Sequence, residues 1–229
     1  MAELPPDIEE QVARALAEDI GPGDVTAGLV PAGARALATL VTREDMILCG
    51  SAWLRETFRQ LDTGIAIDWR AQEGDAVAAN AVICEIRGPA RALLTGERCA
   101  LNFVQTLSGT ATVTRRYVNA VAGTRCRILD TRKTIPGLRL AQKYAVTCGG
   151  GYNHRMGLHD MVLVKENHII AAGSIARALQ DARRLAPGVP VEIEVENLVE
   201  FRAALAGSPD VVMLDEFSLE DMRTGVRLR

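Results

Sequence analysis

From residue 110 onward the chain alternates short apolar runs with helical ones, and this alternation restricts the fold more than any other feature. The runs 126–129, 161–164, 191–195 and 211–214 are short, aliphatic and bounded by polar or glycine residues, so they read as strands. Between them, 138–146, 174–185 and 198–205 place apolar residues at helical spacing. Ser174 is placed to cap one helix, which stops before Pro187, and Ser218 to open a last one. Strands joined by helices pair in parallel, which gives an α/β barrel or an open parallel sheet.

The first half has a different pattern. A short amphipathic helix at 8–18 is followed by the turn Gly21-Pro22-Gly23-Asp24. Apolar runs at 36–41, 46–49, 65–69 and 82–86 read as strands and 51–61 as a helix. Pro89 suits the start of a helix carrying Leu93, Leu94, Leu101, Val104 and Leu107, which is predicted to end near Ser108-Gly109. A separate helix is predicted at 110–122, ending at Gly123. The expected organisation is an α+β sandwich domain over 1–109 and a partial, open α/β barrel over 110–229.

With 48% hydrophobic residues the chain can bury a sizeable core, and its net charge of −3 gives no global attraction to nucleic acid or an anionic membrane. No apolar run is long enough to span a bilayer, and the acidic start lacks a signal-peptide pattern. The five cysteines (Cys49, Cys84, Cys99, Cys126 and Cys148) are scattered, with no C-x-x-C pair. Reduced thiols in a cytoplasmic protein are therefore expected rather than disulfides or a zinc site.

Each strand of the second half runs into charge. Residues 126–129 lead to Asp130-Thr131-Arg132-Lys133, and 161–164 to Lys165-Glu166-Asn167-His168. The third strand alternates Glu192, Glu194 and Glu196 on one face, and the fourth ends in Asp215-Glu216. In a parallel barrel these ends converge on one mouth, where active sites sit, so Arg132, Lys133, Lys165, Glu194 and Asp215 are expected together. Arg132, Lys133, Lys165, His154 and Arg155 form a basic set suited to carboxylates and phosphates. Glu194 and Asp215 beside it suit a divalent metal, sugar hydroxyls or a developing cation. Together they point to a polyanionic substrate and Mg2+. Taken singly the pieces are ordinary. Arg132-Lys133 reads equally as a solvated strand end, Gly149-Gly150-Gly151 is not a nucleotide-loop pattern, and His168 reads as a backbone cap.

At these residues the sequence resembles the quinolinate phosphoribosyltransferases. The likeness runs through Gly23-Asp24-Val25-Thr26, Leu94-Thr95-Gly96-Glu97-Arg98, Leu101-Asn102, Asp130-Thr131-Arg132-Lys133-Thr134 and Pro136-Gly137. It continues through Lys143-Tyr144-Ala145, Gly149-Gly150-Gly151, Asn153-His154-Arg155, Val164-Lys165-Glu166-Asn167-His168, Glu194-Val195-Glu196-Asn197 and Met213-Leu214-Asp215. The resemblance implies an N-terminal α/β sandwich, an incomplete α/β barrel, and synthesis of nicotinate mononucleotide, pyrophosphate and CO2 from quinolinate and phosphoribosyl pyrophosphate. It implies substrate binding by Thr131, Arg132, Lys133, His154, Arg155 and Lys165, with Arg98 lent by the other subunit of a homodimer. It assigns Lys133, Glu194 and Asp215 to catalysis, with Glu194 and Asp215 near the ribose and its Mg2+.

Two departures stand out. Family members are expected to continue past the position of Arg229 with glycine-rich loops for the sugar 5-phosphate, so this chain alone is expected to be weak or inactive. Glu216 stands where the family usually has asparagine. The competing readings are a non-catalytic, quinolinate-binding dimerising fragment and a same-fold relative acting on another base.

Overall fold

The computed structural model describes residues 3–228, and the chain falls into two compact units, Met1–His154 and Arg155–Arg229. The first unit is organised by one helix. After α1 (Ile8–Ile20) come strands β1 (Arg35–Val41) and β2 (Met46–Ile47), helix α2 (Ser51–Leu61), and strands β3 (Ala66–Trp69), β4 (Ala76–Val77) and β5 (Val82–Pro89). Helix α3 (Ala90–Ala120) and helix α4 (Arg139–Cys148) complete it. The strands form an antiparallel sheet of order β1-β5-β3 and a small β2-β4 pair.

Helix α3 buries two stripes. Cys99, Phe103, Leu107 and Ala111, four residues apart, join Val12, Trp53 and Tyr144 in one cluster. Leu93, Ala100 and Val104 join Leu54, Phe58, Ile83 and Ile86 in another. Burying a fully enclosed leucine, Leu107 for example, contributes about 2 kcal/mol. Trp53 lies between the aromatic rings of Phe103 and Tyr144, and its Nε1 donates to Gln11 Oε1 at 2.8 Å.

The predicted break at Gly109 does not occur. Residues 90–120 form one helix of 31 residues, so the two helices expected there are one. Helical hydroxyls bond back one turn: Thr112 Oγ1 donates to Ser108 O at 2.6 Å and Thr114 Oγ1 to Thr110 O at 2.8 Å. Ser108 and Thr112 also anchor a neighbouring segment. Cys49 N donates to Ser108 Oγ at 3.0 Å, Ser108 Oγ donates to Cys49 O at 2.9 Å, and Ile47 N donates to Thr112 Oγ1 at 2.9 Å. These packed contacts carry the helix through its glycine. By packing, the two compact units divide between His154 and Arg155.

A second expected element is missing. Residues 126–129 form no strand, only the parallel bridge Leu129–Tyr152. Cys126, Arg127 and Leu129 are exposed, so the apolar run has no sheet to bury it.

The second unit contains β6 (Val162–Val164), α5 (Glu166–Ala172), α6 (Ile175–Leu185), β7 (Val191–Val195), α7 (Leu198–Ala206), β8 (Val211–Leu214) and α8 (Leu219–Leu228). Its strands lie parallel in the order β6-β7-β8, as the strand–helix alternation requires. Among the described residues the arc is open, an incomplete α/β barrel. Ile193 and Val195 are fully buried, and Leu179, Phe201 and Ala204 of the helices pack with them. The helices begin on capping side chains. Ser174 Oγ accepts from Arg177 N at 3.2 Å, and Ser218 Oγ from Asp221 N at 3.1 Å. Asn197 Oδ1 accepts from Val199 N and Glu200 N at 3.1 and 3.0 Å. No helix among the described residues is long and apolar enough to cross a membrane.

Gly109 lies mid-helix at an ordinary helical φ, and a Cβ there meets nothing within 4 Å. Gly109→Ala is therefore expected to raise stability by about 0.5–1 kcal/mol, read as a higher urea midpoint with an unchanged slope.

Candidate active site

In the first unit Thr131–Lys133 and His154 adjoin a buried acid, Asp130. The Asp130 carboxylate pairs with Lys143 Nζ, and the two side chains are 6% and 1% exposed. Asp130 Oδ1 also accepts from His154 N at 2.9 Å, and Oδ2 from Asn153 Nδ2 at 2.6 Å. Lys143 Nζ donates further to His154 O at 3.0 Å, and Asn153 Nδ2 to Lys143 O at 2.9 Å. Two backbone bonds continue the clasp: Asp130 N to Tyr152 O at 3.1 Å and Tyr152 N to Ile128 O at 2.9 Å. Such a pair is stable in a dry interior only with its remaining donors and acceptors satisfied, and these bonds do that.

Thr131, Arg132 and Lys133 follow directly on this fixed point. Lys133 N donates to Thr131 Oγ1 at 3.0 Å, closing a tight turn, and Thr131 and Lys133 are exposed. Arg132 is half-buried. Its Nε is buried and meets no acceptor among the described residues. A buried guanidinium donor left over in an otherwise satisfied segment suits a site that receives an anion. Arg98 stands exposed on α3.

The glycines serve packing. A Cβ at Gly149 would lie 2.5 Å from Ala111 O, and one at Gly151 would lie 2.8 Å from Val146 Cγ1. This segment therefore crosses α3 too closely for a side chain. Arg115 holds it there, donating from Nε to Gly149 O at 2.9 Å.

The second unit brings three predicted residues to the carboxyl edge of its sheet. Lys165 follows β6, Glu194 lies in β7 and Asp215 follows β8. Lys165 Nζ pairs with Glu194 Oε2 at 2.6 Å, and Asp215 N donates to Val195 O at 3.0 Å. Glu192 is buried and Glu196 exposed, so the three alternating glutamates share a face but differ in environment. The Glu196 carboxyl is held above its usual range, mainly by the charge of Glu166, then by partial desolvation and by Glu200, Asp215 and Glu194. This edge thus carries an excess of negative charge. His168 Nδ1 accepts from Lys165 N at 3.0 Å and so satisfies a backbone N–H at the start of α5, the role expected of it. Arg155 lies in the loop before β6, with Nη1 donating to Met161 O at 3.4 Å. In that loop Asp160 accepts from Met156 N and Gly157 N, and these bonds hold its carboxyl below the ordinary range.

Asp130, Lys143 and Asn153 are the site-shaping residues that the sequence reading did not single out. The signal was present in Lys143. Helical spacing sets it among the buried residues Ala141, Tyr144 and Ala145, where a charge requires a partner.

Both halves of the sequence match one family: "Quinolinate phosphoribosyl transferase, N-terminal domain" over residues 24–108 and its C-terminal domain over 110–229. The chain belongs to the quinolinate phosphoribosyltransferase family. Among curated relatives it is 43% identical over 228 residues to a probable nicotinate-nucleotide pyrophosphorylase [carboxylating] of Synechocystis, covering 98% of this chain and 77% of that protein. A Bacillus subtilis protein of the same description is 42% identical, covering 92% of this chain and 73% of the relative. The solved nicotinate-nucleotide pyrophosphorylase of Francisella tularensis superposes with a TM-score of 0.95 at 50% identity, over 99% of this chain and 81% of that one. NadC from Streptococcus pyogenes gives 0.96 at 39% identity, over 100% and 82%.

Glu216 has φ 55, a left-handed conformation that asparagine adopts more readily than glutamate. Glu216→Asn is expected to raise stability by up to about 1 kcal/mol, seen as a higher Tm. Lys143→Met is expected to cost about 3–5 kcal/mol, because it leaves Asp130 charged and unpaired in the interior. Denaturant unfolding at neutral pH measures this loss.

Proposed function

We propose that this chain transfers the phosphoribosyl group of phosphoribosyl pyrophosphate to quinolinate with loss of CO2, giving nicotinate mononucleotide and pyrophosphate. The observation that carries this reading is the buried Arg132 Nε, unmatched among the described residues, beside the Asp130–Lys143 clasp in a chain whose two halves both match the family. Quinolinate is a pyridine with two neighbouring carboxylates, and forked guanidinium donors suit it. In this reading Thr131, Arg132, Lys133, His154, Arg155 and Lys165 bind substrate, and Arg98 is contributed across a homodimer interface.

Fixing the ring presents its nitrogen to the ribose C1. As the C1–N bond forms, the C1–O bond to pyrophosphate breaks, and positive charge develops on the sugar. Glu194 and Asp215 are suited to stabilise that charge and Lys133 the charge of the leaving group. When the adjacent carboxylate leaves as CO2, its bonding electron pair stays on the ring carbon, stabilised by the positive charge of the quaternised nitrogen, and that carbon then takes up a proton.

The acidic edge of the second unit fits Mg2+. Its donors are carboxylate oxygens, and Glu196 records the crowding of negative charge. Among the described residues, however, Glu194 and Asp215 belong to no trio of ligand atoms within 4.8 Å. This favours an ion that arrives with pyrophosphate over one held by the protein alone. Bound there, Mg2+ supplies charge neutralisation for the leaving group. A cytoplasmic location accords with the five free cysteines.

The test is a turnover assay with quinolinate, phosphoribosyl pyrophosphate and Mg2+, following nicotinate mononucleotide and CO2. Arg132→Ala is expected to raise KM for quinolinate roughly 10- to 100-fold, the worth of one charge-assisted contact. Glu216→Asn is expected to change the apparent affinity for phosphoribosyl pyrophosphate and leave that for quinolinate unchanged. Product from nicotinate with none from quinolinate would overturn the assignment.

A further inference from the structure

A second cluster of chemically capable groups lies inside the first unit, and the reaction does not use it. It comprises Cys49 at the end of the β2 segment, Glu73 before β4 and Cys148 at the last position of α4. The two sulfurs and a Glu73 oxygen all lie within 4.8 Å of one another. Cys49 is fully buried, and Glu73 and Cys148 are half-buried. The three come from distant stretches of chain, so the fold assembles the group.

Its backbone is firmly placed. Cys49 is fastened through both its N–H and its C=O to Ser108 Oγ. Arg115 donates to Cys148 O at 3.3 Å and to Gly149 O at 2.9 Å. Glu73 covers the N-terminus of α2, where Gly50 offers no side chain. Its Oε1 accepts from Gly50 N at 2.7 Å, and its Oε2 accepts from Ser51 N at 3.1 Å and from the Ser51 hydroxyl. A carboxylate has about four acceptor positions, and the fourth faces the Cys49 thiol, a hydrogen bond that a metal would replace.

From this geometry we propose that Cys49, Glu73 and Cys148 form a binding site for a thiophilic divalent cation of the Zn2+ type, with water as the fourth ligand. Tetrahedral zinc with Zn–S bonds of about 2.3 Å sets sulfurs roughly 3.8 Å apart, inside the span these atoms already have. As the two metal–sulfur bonds form, two thiol protons pass to solvent. Two thiolates and a carboxylate then face a dication beside the positive end of α2. Thiolate ligands disfavour Mg2+, so this site is chemically separate from the acidic edge at β7 and β8. The entry side is Cys148, the more exposed of the two cysteines. Occupancy ties the end of α4, the helix that carries Lys143, to the start of α2.

The test uses the full chain, reduced and freed of metal by a chelator, with Co2+ as a spectroscopic probe and Zn2+ as competitor. The expected result is a sulfur-to-cobalt charge-transfer band in the near ultraviolet that Zn2+ abolishes. Cys148→Ser loses the band, while Cys126→Ser, at an exposed cysteine elsewhere, retains it. The wild-type chain gives a second readout that needs no variant. Zn2+ is expected to slow alkylation of Cys148 and leave Cys126 unprotected, as read by peptide mass mapping. Absence of the band from the wild type, its loss in Cys126→Ser, or equal alkylation of Cys148 with and without Zn2+ would each overturn the proposal.

Discussion

The contact on which the first half of the candidate site depends is the buried pair of Asp130 and Lys143. Neither group is tolerable there alone, because a single uncompensated charge in the interior costs several kcal/mol. The fold meets that constraint by surrounding the pair with the His154 backbone and the Asn153 amide. Two loops far apart in sequence, 130–133 and 152–154, are thereby locked to α4. The short segment with Thr131, Arg132 and Lys133 needs no strand of its own, since the ion pair fixes its first residue.

The second half is held differently. Parallel strands set their carboxyl ends in line, and helices α6, α7 and α8 start on Ser174, Asn197 and Ser218. Lys165, Glu194 and Asp215 inherit their positions from this register, with Val195 opposite Leu214 and Val164 opposite Ile193. Several residues of the recognisable motifs are thus architectural. Asn197 is a cap, His168 satisfies the Lys165 backbone N–H, and Asn153 braces the clasp. A motif in such a protein mixes groups that meet substrate with groups that place them.

Much of the second half could be read in the sequence. Strand–helix alternation is a strong local signal, and 191–195 and 211–214 form the predicted strands. The misreadings came where a tertiary contact outweighs local preference. Gly109 signals a helix end, but Ser108 and Thr112 are bonded to the β2 segment on either side of it, and that packing carries the helix through. The run 126–129 looks like a strand, but a strand exists only with a neighbour, and among the described residues it makes only the bridge Leu129–Tyr152. The cysteine cluster was invisible for a related reason. Ninety-nine positions separate Cys49 from Cys148, and spacing along a chain cannot show what folding brings within a few ångströms.

The uninterrupted helix α3 has a mechanical consequence. At the usual rise per residue it is a rod roughly 46 Å long. Thr95 near one end is tied to Asp24, and Arg115 near the other grips the carbonyl of Gly149. A rod of this kind has no joint where a break at Gly109 would have put one. From Arg98 to the Gly149 crossing the backbone is therefore one helix, with no hinge between them.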